Sequence, residues 1–591
     1  MAIFDTVSQS YEDHITQFAD MNVDDQWRRI QTEGWPASPN PSDESRLAVY
    51  EVAAIIANRM IGTGVFEAPT QVFRKAPTVG LGLMYWLIGC FATLCGSLLY
   101  VEYGLTIPQT SPDGDKDECI PTNGGELNYM RYLISEPPGL AAFLFGVPFI
   151  LIGTSAANAI SFSRNLFELV NVEKPSAVAI ICVAIGSVGF ACLVHAFSRG
   201  IGIKLNNAFA ALKIIFLIII VFGGLAVGVG RSTYGLEIQL ISNCSVNLDG
   251  ASNNFNDAFG KLENRSTYLT PPYLQVVFAF GGFNQANYVL SEVYKPQSTL
   301  RWTSLTTVSL ICILYMLVNI AFLTVVPIKD NKPLMNGSCN NDDWSMASDF
   351  FQLTFGSRRL YNGFLMTSSL GNIIVTTFTA GRVKQEIARV GVLPLAEFFS
   401  KSYDMAAIVK TLFGTRTDQK LEKQTPAAAI ALHFMFSATL ILVVAGVITE
   451  RSIAYTALTG IYSYAIDAFF TSFLGFGLLC LRMGRNWGNI SATKSVFLSV
   501  LSASGTAVGN AFPLIASWIV DPAEPLDFIG PAGGLVVIAI GVISWTSLRM
   551  FRGDKEYVEE RKPFVRMSNG VPIRIYDVVT FSWKQPKLAS N

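Results

Sequence analysis

The sequence predicts an all-α membrane protein of about twelve transmembrane helices, each needing roughly 20 apolar residues to cross the hydrocarbon. Three observations predict it. Of the 591 residues, 51% are hydrophobic and only 15% charged, with a mean hydropathy of +0.39, more apolar than a water-soluble core requires. The apolar residues gather into long runs separated by short polar loops, and the lysines and arginines of those loops fall on alternate sides. A formal net charge of −1 leaves no basic excess that would draw the chain to nucleic acid or hold it on anionic lipid.

In chain order, a polar tail (1–46) precedes the twelve-helix domain (47–549) and a second polar tail (550–591) follows it. The first tail has no short apolar run beside a small-residue cleavage site, so the first span is expected to act as the membrane signal. The spans are expected at 47–65, 79–103, 140–169, 176–197, 201–230, 273–293, 300–326, 360–381, 427–448, 453–481, 496–520 and 528–548. The even-numbered loops hold Arg199, Lys204, Lys295, Arg301, Arg382, Lys384, Arg389, Arg482, Arg485 and Lys494, which makes both termini cytoplasmic. Three glycosylation sequons, at Asn243, Asn264 and Asn336, fall in the two longest loops assigned to the outside, while a fourth at Asn489 lies inside and is expected to stay unmodified. Those outer loops also carry Cys244 and Cys339; a disulfide is chemically allowed there, with two free thiols as the alternative. His14, His195 and His433 lie far apart and the nine cysteines form no C-x-x-C pair, so neither a metal nor a cofactor is expected.

Two spans are interrupted. The first reads Ala57-Asn58-Arg59-Met60-Ile61-Gly62-Thr63-Gly64-Val65-Phe66, and the sixth reads Phe278-Ala279-Phe280-Gly281-Gly282-Phe283-Asn284. Separated by five spans, the two run in opposite directions, as an inverted repeat requires. Unwound backbone at membrane depth survives only where it lines a cavity or meets a ligand. The N–H groups near Gly62 to Gly64 open a half-helix and suit a carboxylate, and carbonyls near Phe278 to Gly281 suit an ammonium group, so a zwitterion fits both ends. Close helix packing through small residues is the plainer alternative.

These motifs resemble the L-type amino-acid transporters of the amino acid, polyamine and organocation (APC) superfamily. Glu102, Pro108 and Asn123-Gly124-Gly125-Glu126 resemble the cytoplasmic motif between spans two and three, and Arg382 with Ala388-Arg389-Val390-Gly391-Val392-Leu393-Pro394 resembles the segment after span eight. The similarity runs from about 47 to 481, and the long tails and NGGE-type loop look most like fungal methionine permeases. The resemblance implies a LeuT-like five-plus-five inverted repeat with broken helices one and six. It implies that Met60, Gly62, Thr63 and Gly64, with Phe278, Ala279 and Gly281, bind the substrate backbone, with Phe278 as aromatic gate and Asn284 supporting the break. It further implies secondary transport of a neutral L-amino acid, methionine first, by proton symport, with exchange as the nearest alternative, in the plasma membrane. Residues 168–177 hold no cysteine, so the covalent heavy-chain partner of mammalian relatives is not expected.

Two charged residues stand out deep inside spans, Lys213 and Asp467. Lys213 is nine residues past Lys204, roughly 13 Å deeper and beyond comfortable snorkelling reach, so it is expected to face the bundle interior. In the resembled family this lysine takes the place of a sodium ion between helices one and eight, here near hydroxyls such as those of Thr376 or Thr379. Asp467 sits mid-way along span ten, where an ionised carboxylate costs at least ~2.5 kcal/mol unless paired, and it falls where relatives carry a pocket-lining amide. Lys213 and Asp467 are the expected coupling residues, and Asp467 is also expected at the substrate. A channel would need a polar pore where Phe278, Phe280 and Phe283 stand, and an enzyme would lack any His or Cys cluster.

Overall fold

The computed structural model describes residues 46–107, 121–172, 175–230, 271–329, 345–403, 425–447, 451–518 and 528–551, with short pieces of the intervening loops and the backbone of 556–568 and 571–584. Among these, ten helices are long and apolar enough to cross a bilayer: Val49–Arg74, Val79–Thr106, Leu140–Leu169, Ala177–Phe197, Arg199–Gly228, Pro296–Val325, Ala427–Val444, Ala457–Met483, Val496–Ala516 and Ile529–Phe551. Twelve is reached only by counting two more segments as spans. One is the broken sixth span, split into Pro271–Phe280, Gln285–Tyr288 and a short turn at Leu290–Glu292. The other is Arg358–Arg389, whose 32 residues are long enough but carry Thr376, Thr377, Thr379, Arg382 and Lys384. The chain is thus an integral, multi-pass membrane protein.

The surface is that of a protein solvated by lipid. Phe190, Leu193, Ile215, Phe222, Ile313, Val508, Ile515 and Ile543 are exposed along the spans, whereas Asn58, Glu102, Glu126, Asn319, Lys384 and His433 are buried. With hydrocarbon outside, apolar contact does not drive helices together, and close backbone approach through small residues does. Gly475 lies against Ala503 and Ala507, joining spans ten and eleven, and Gly224 lies against Ala321, joining five and seven. Gly460 meets Gly530 where spans ten and twelve cross.

The two interrupted helices are antiparallel partners. Span one consists of Val49–Met60 and Gly64–Lys75, joined by three unwound residues. Its first half packs on the second half of span six and its second half on the first half, which two antiparallel broken helices require. A Cβ at Gly64 would fall 2.7 Å from the Ala279 Cα, so the breaks touch backbone to backbone.

Strands are few. Ser245–Val246 pairs antiparallel with Met335–Asn336, bringing the two long loops together, and Glu556–Ser568 pairs with Val571–Lys584 as a hairpin within what reads in sequence as a polar tail. The sequon residues Asn243 and Asn264, the cysteines Cys244 and Cys339, and Pro108 lie outside the described residues.

Candidate functional site

Helix one stops at Met60 because the chain there must leave helical geometry to admit the Ile61-Gly62-Thr63 segment, and its freed carbonyls find partners elsewhere. The Tyr315 hydroxyl donates to the Met60 carbonyl at 2.6 Å and the Ser368 hydroxyl to the Ile61 carbonyl at 3.2 Å. With the carbonyls taken, the N–H groups opening the second half-helix at Gly64 keep their capacity to receive an anion. Helix six breaks at Gly281 and Gly282; Gly282 adopts φ +107°, a region that L side chains avoid.

Between the breaks lies a cavity that is partly open to its surroundings. Met60, Gly62, Thr63, Gly64, Phe278, Ala279 and Gly281 all line it. Seven sequence-predicted positions are thereby brought together. Three others sit behind the wall. Asn284 donates to Glu126 Oε1 at 2.5 Å, holding the break from outside the cavity. Asp467 backs onto Gly281, with Oδ2 3.0 Å from where a Cβ would stand, and lies in a π-helical stretch, Ser463–Phe470, of span ten. Lys213 is buried, as its depth predicts, but its partners differ from those expected. Its Nζ donates to the Asn58 carbonyl at 2.6 Å and to Asn372 Oδ1 at 2.9 Å. Thr379 instead donates to Gln285 Oε1 at 2.7 Å, and Thr376 Oγ1 is buried without a partner while its residue lines the cavity. The ammonium therefore ties the end of the first half-helix to span eight through an asparagine, four residues before Thr376 and seven before Thr379. Gly371 makes room for it, since a Cβ there would meet Lys213 Cε at 2.8 Å.

Two parts of the site escaped the sequence reading. Span three is also interrupted, between Leu140–Ile152 and Ala156–Leu169, and it contributes Phe149, Ile152, Thr154 and Asn158 to the cavity. The signal was the small and polar run Gly153-Thr154-Ser155 inside an otherwise apolar stretch. Arg59 is the second: it lines the cavity with its guanidinium 5.7 Å from the Tyr462 ring centroid and interacts electrostatically with Asp467. It stands inside the interrupted stretch of span one, where the sequence pattern assigned it no role. The lining thus combines polar groups, among them Arg59, Thr376 and the opening of the half-helix at Gly64, with apolar side chains, among them Phe149, Ile152, Leu440 and Leu458.

Contacts close the structure around the two broken helices. At one end the Leu47 N–H donates to the Glu292 carbonyl at 2.8 Å and the Tyr294 N–H to the Leu47 carbonyl at 2.9 Å. The Glu292 carboxylate there is held by Arg382 and, at 2.8 Å, by Arg199. At the break itself Thr63 hydrogen-bonds Tyr455, joining the unwound segment of helix one to span ten.

Residues 47–526 match the amino acid permease family model. The high-affinity methionine permease of Saccharomyces cerevisiae is 27% identical over 487 residues, covering 80% of this chain and 73% of that protein. The low-affinity methionine permease of the same yeast is 23% identical, over 61% of this chain and 60% of the relative. Human b(0,+)-type amino acid transporter 1 is 25% identical, over 59% and 63%. Among solved structures, the Eremococcus coleocola manganese transporter covers 85% of this chain and 95% of its own at 12% identity, with a TM-score of 0.44. With the family match spanning most of the chain, and with its broken helices meeting at a cavity, the protein belongs to the amino acid permease family.

Proposed function

We propose that this chain is a secondary permease for a neutral L-amino acid, with methionine the first candidate, working by proton symport without sodium. The observation that carries the reading is the cavity itself, whose lining brings together the Arg59 guanidinium, the opening of the half-helix at Gly64, backbone of the sixth break and apolar side chains. The substrate carboxylate would sit at Gly62, Thr63 and Gly64 near Arg59, and its ammonium at the Phe278, Ala279 and Gly281 backbone with Asp467 behind. Met60 would line the floor and Phe278 the gate. Two yeast methionine permeases among the relatives favour an unbranched thioether in the apolar half.

Lys213 in the position of a cation between helices one and eight supports sodium independence, and Lys213 and Asp467 are the span residues proposed to take part in coupling. Cytoplasmic termini, a plasma-membrane location, glycosylation of the outer loops and operation without a covalent heavy chain complete the proposal. The test is uptake of a labelled amino acid panel into proteoliposomes, with and without an imposed pH gradient. Concentrative, sodium-independent uptake of methionine driven by inward protons is the expected result. Uptake only against preloaded amino acid would make the protein an exchanger, and uptake of no amino acid would overturn the proposal.

A further inference from the structure

The NGGE motif threads into the broken sixth helix. Gly124 and Gly125 both adopt positive φ, at 105° and 51°, and this tight path lets the Gly124 N–H donate to the Tyr288 carbonyl at 3.3 Å and Asn123 Oδ1 accept from the Ser291 N–H at 3.0 Å. The path delivers Glu126, the first residue of helix Glu126–Leu133, into a fully buried position outside the spans. Its Oε1 accepts from Tyr100 at 2.9 Å, Tyr288 at 3.1 Å and Asn284 at 2.5 Å. Its Oε2 is buried with no hydrogen-bond partner, and among the described residues no cation forms a salt bridge with this carboxyl.

One carboxyl therefore joins span two, the sixth-helix break and, through Tyr288, the cavity. The surroundings supply no compensating charge. Spans two and six present Tyr100 and Tyr288, and span ten presents Asp467 and Tyr462, both electrostatic neighbours, with Arg59 beyond them over the Tyr462 ring. Glu386 of span eight lies by Gly124 and is paired with Arg389, Arg482 is paired with Glu102, and the facing half-helix Leu140–Ile152 has no titratable side chain. On its own helix, the Tyr129 hydroxyl donates to Asn287. A buried carboxylate without a counter-ion is unfavourable, and a proton on Oε2 removes the charge while leaving all three hydrogen bonds to Oε1 in place. Burial pushes the carboxyl up to about 7, with the residue's own backbone N–H and the three side-chain hydrogen bonds pulling the other way.

We propose that Glu126 is a proton-binding site of this carrier, protonated while the sixth-helix break packs on it and emptied when movement of that break admits water. On release the Oε2–H bond breaks heterolytically, the proton passes to water and the carboxylate remains. The inference rests on the permease reading, and flux and pH response test the two separately. For one proton per substrate, a gradient of one pH unit drives at most about tenfold accumulation of methionine in proteoliposomes. Glu126→Gln, which fixes the neutral form, should drop that accumulation ratio to about one while substrate-for-substrate exchange is still detected, and Glu126→Asp should restore a pH response. Tyr100→Phe, which removes a donor to the carboxylate without touching the cavity, should raise the pH midpoint of uptake; that variant decides the matter if Glu126→Gln fails to fold. Wild-type accumulation by Glu126→Gln, or an unmoved midpoint in Tyr100→Phe, overturns the inference. A wild-type protein that carries amino acids without any pH response overturns the inference and leaves the permease reading standing, whereas one that carries none overturns both.

Discussion

At the scale of the residue, the decisive question is which buried polar groups are satisfied. Lys213 is, by two oxygens on two helices, so its removal exposes a specific loss. Lys213→Ala leaves the Asn58 carbonyl and Asn372 Oδ1 short of a donor, at about 1–3 kcal/mol for each buried group. The expected outcome is a clear drop in detergent melting temperature and methionine uptake reduced about tenfold or more, a loss of at least ~1.4 kcal/mol of transition-state stabilisation. Glu126 gives a pH signature of its own. Its carboxyl holds a proton up to about 7 when folded but only to about 4.5 in the ordinary range, so the folded state binds more protons between these values. By linkage, stability contributed by this proton is fully present below 4.5 and is lost as pH rises through 7. Melting curves of the purified protein across that window should show the decline, and Glu126→Gln should flatten it.

At the scale of the element, the breaks are the working parts, and their glycines are there for closeness as much as for conformation. Gly62→Val would drive a β-branched side chain into Asn372 Nδ2, which lies 2.5 Å from the position of a Cβ, and would fill the cavity wall. Folded protein at wild-type amounts with transport abolished is the expected result, measured by fluorescence-detected gel filtration and uptake. Gly282→Ala forces an L side chain into φ +107° and against Arg59 Cγ at 2.5 Å, costing roughly 1–3 kcal/mol in backbone strain alone, so both melting temperature and uptake should fall. The breaks of spans one and six were legible because glycine pairs interrupt apolar helices at matched positions. The break of span three was not: one glycine followed by threonine and serine is ordinary helix composition in a membrane, where backbone hydrogen bonding favours helix throughout.

At the scale of the whole molecule, charge burial separates ion pairs that hold the assembly from those that decorate it. Glu292 is buried between Arg199 and Arg382 at the end of helix six, and its backbone carbonyl accepts from the Leu47 N–H, so three distant segments meet on one residue. Glu292→Gln would leave two guanidinium groups without their counter-charge, a loss on the order of 3–5 kcal/mol for a buried pair broken on one side. Asp349 with the half-exposed Arg358 is the contrast, worth about 0–1 kcal/mol. Thermal unfolding of Glu292→Gln and Arg358→Gln side by side should show a large drop for the first and little for the second.

The sequence by itself determined the solvent and the architecture. Run lengths report hydrocarbon thickness, paired interruptions report an inverted repeat, and the backbone chemistry of those interruptions points to Gly62 to Gly64 and Phe278 to Gly281, while the seven-residue set came from the family resemblance. It also determined that Lys213 is interior, because depth along a helix is a one-dimensional quantity. The tertiary structure decided whatever depends on which groups meet across segments far apart in the chain. It turned Lys213 toward Asn372 and away from Thr376 and Thr379 farther along span eight, placed Arg59 inside the cavity and Asp467 behind its wall, and carried Glu126 from a loop motif into the break of helix six. Partner choice in a packed interior is set by the rotation and crossing of whole helices, which the local pattern of a single span does not encode.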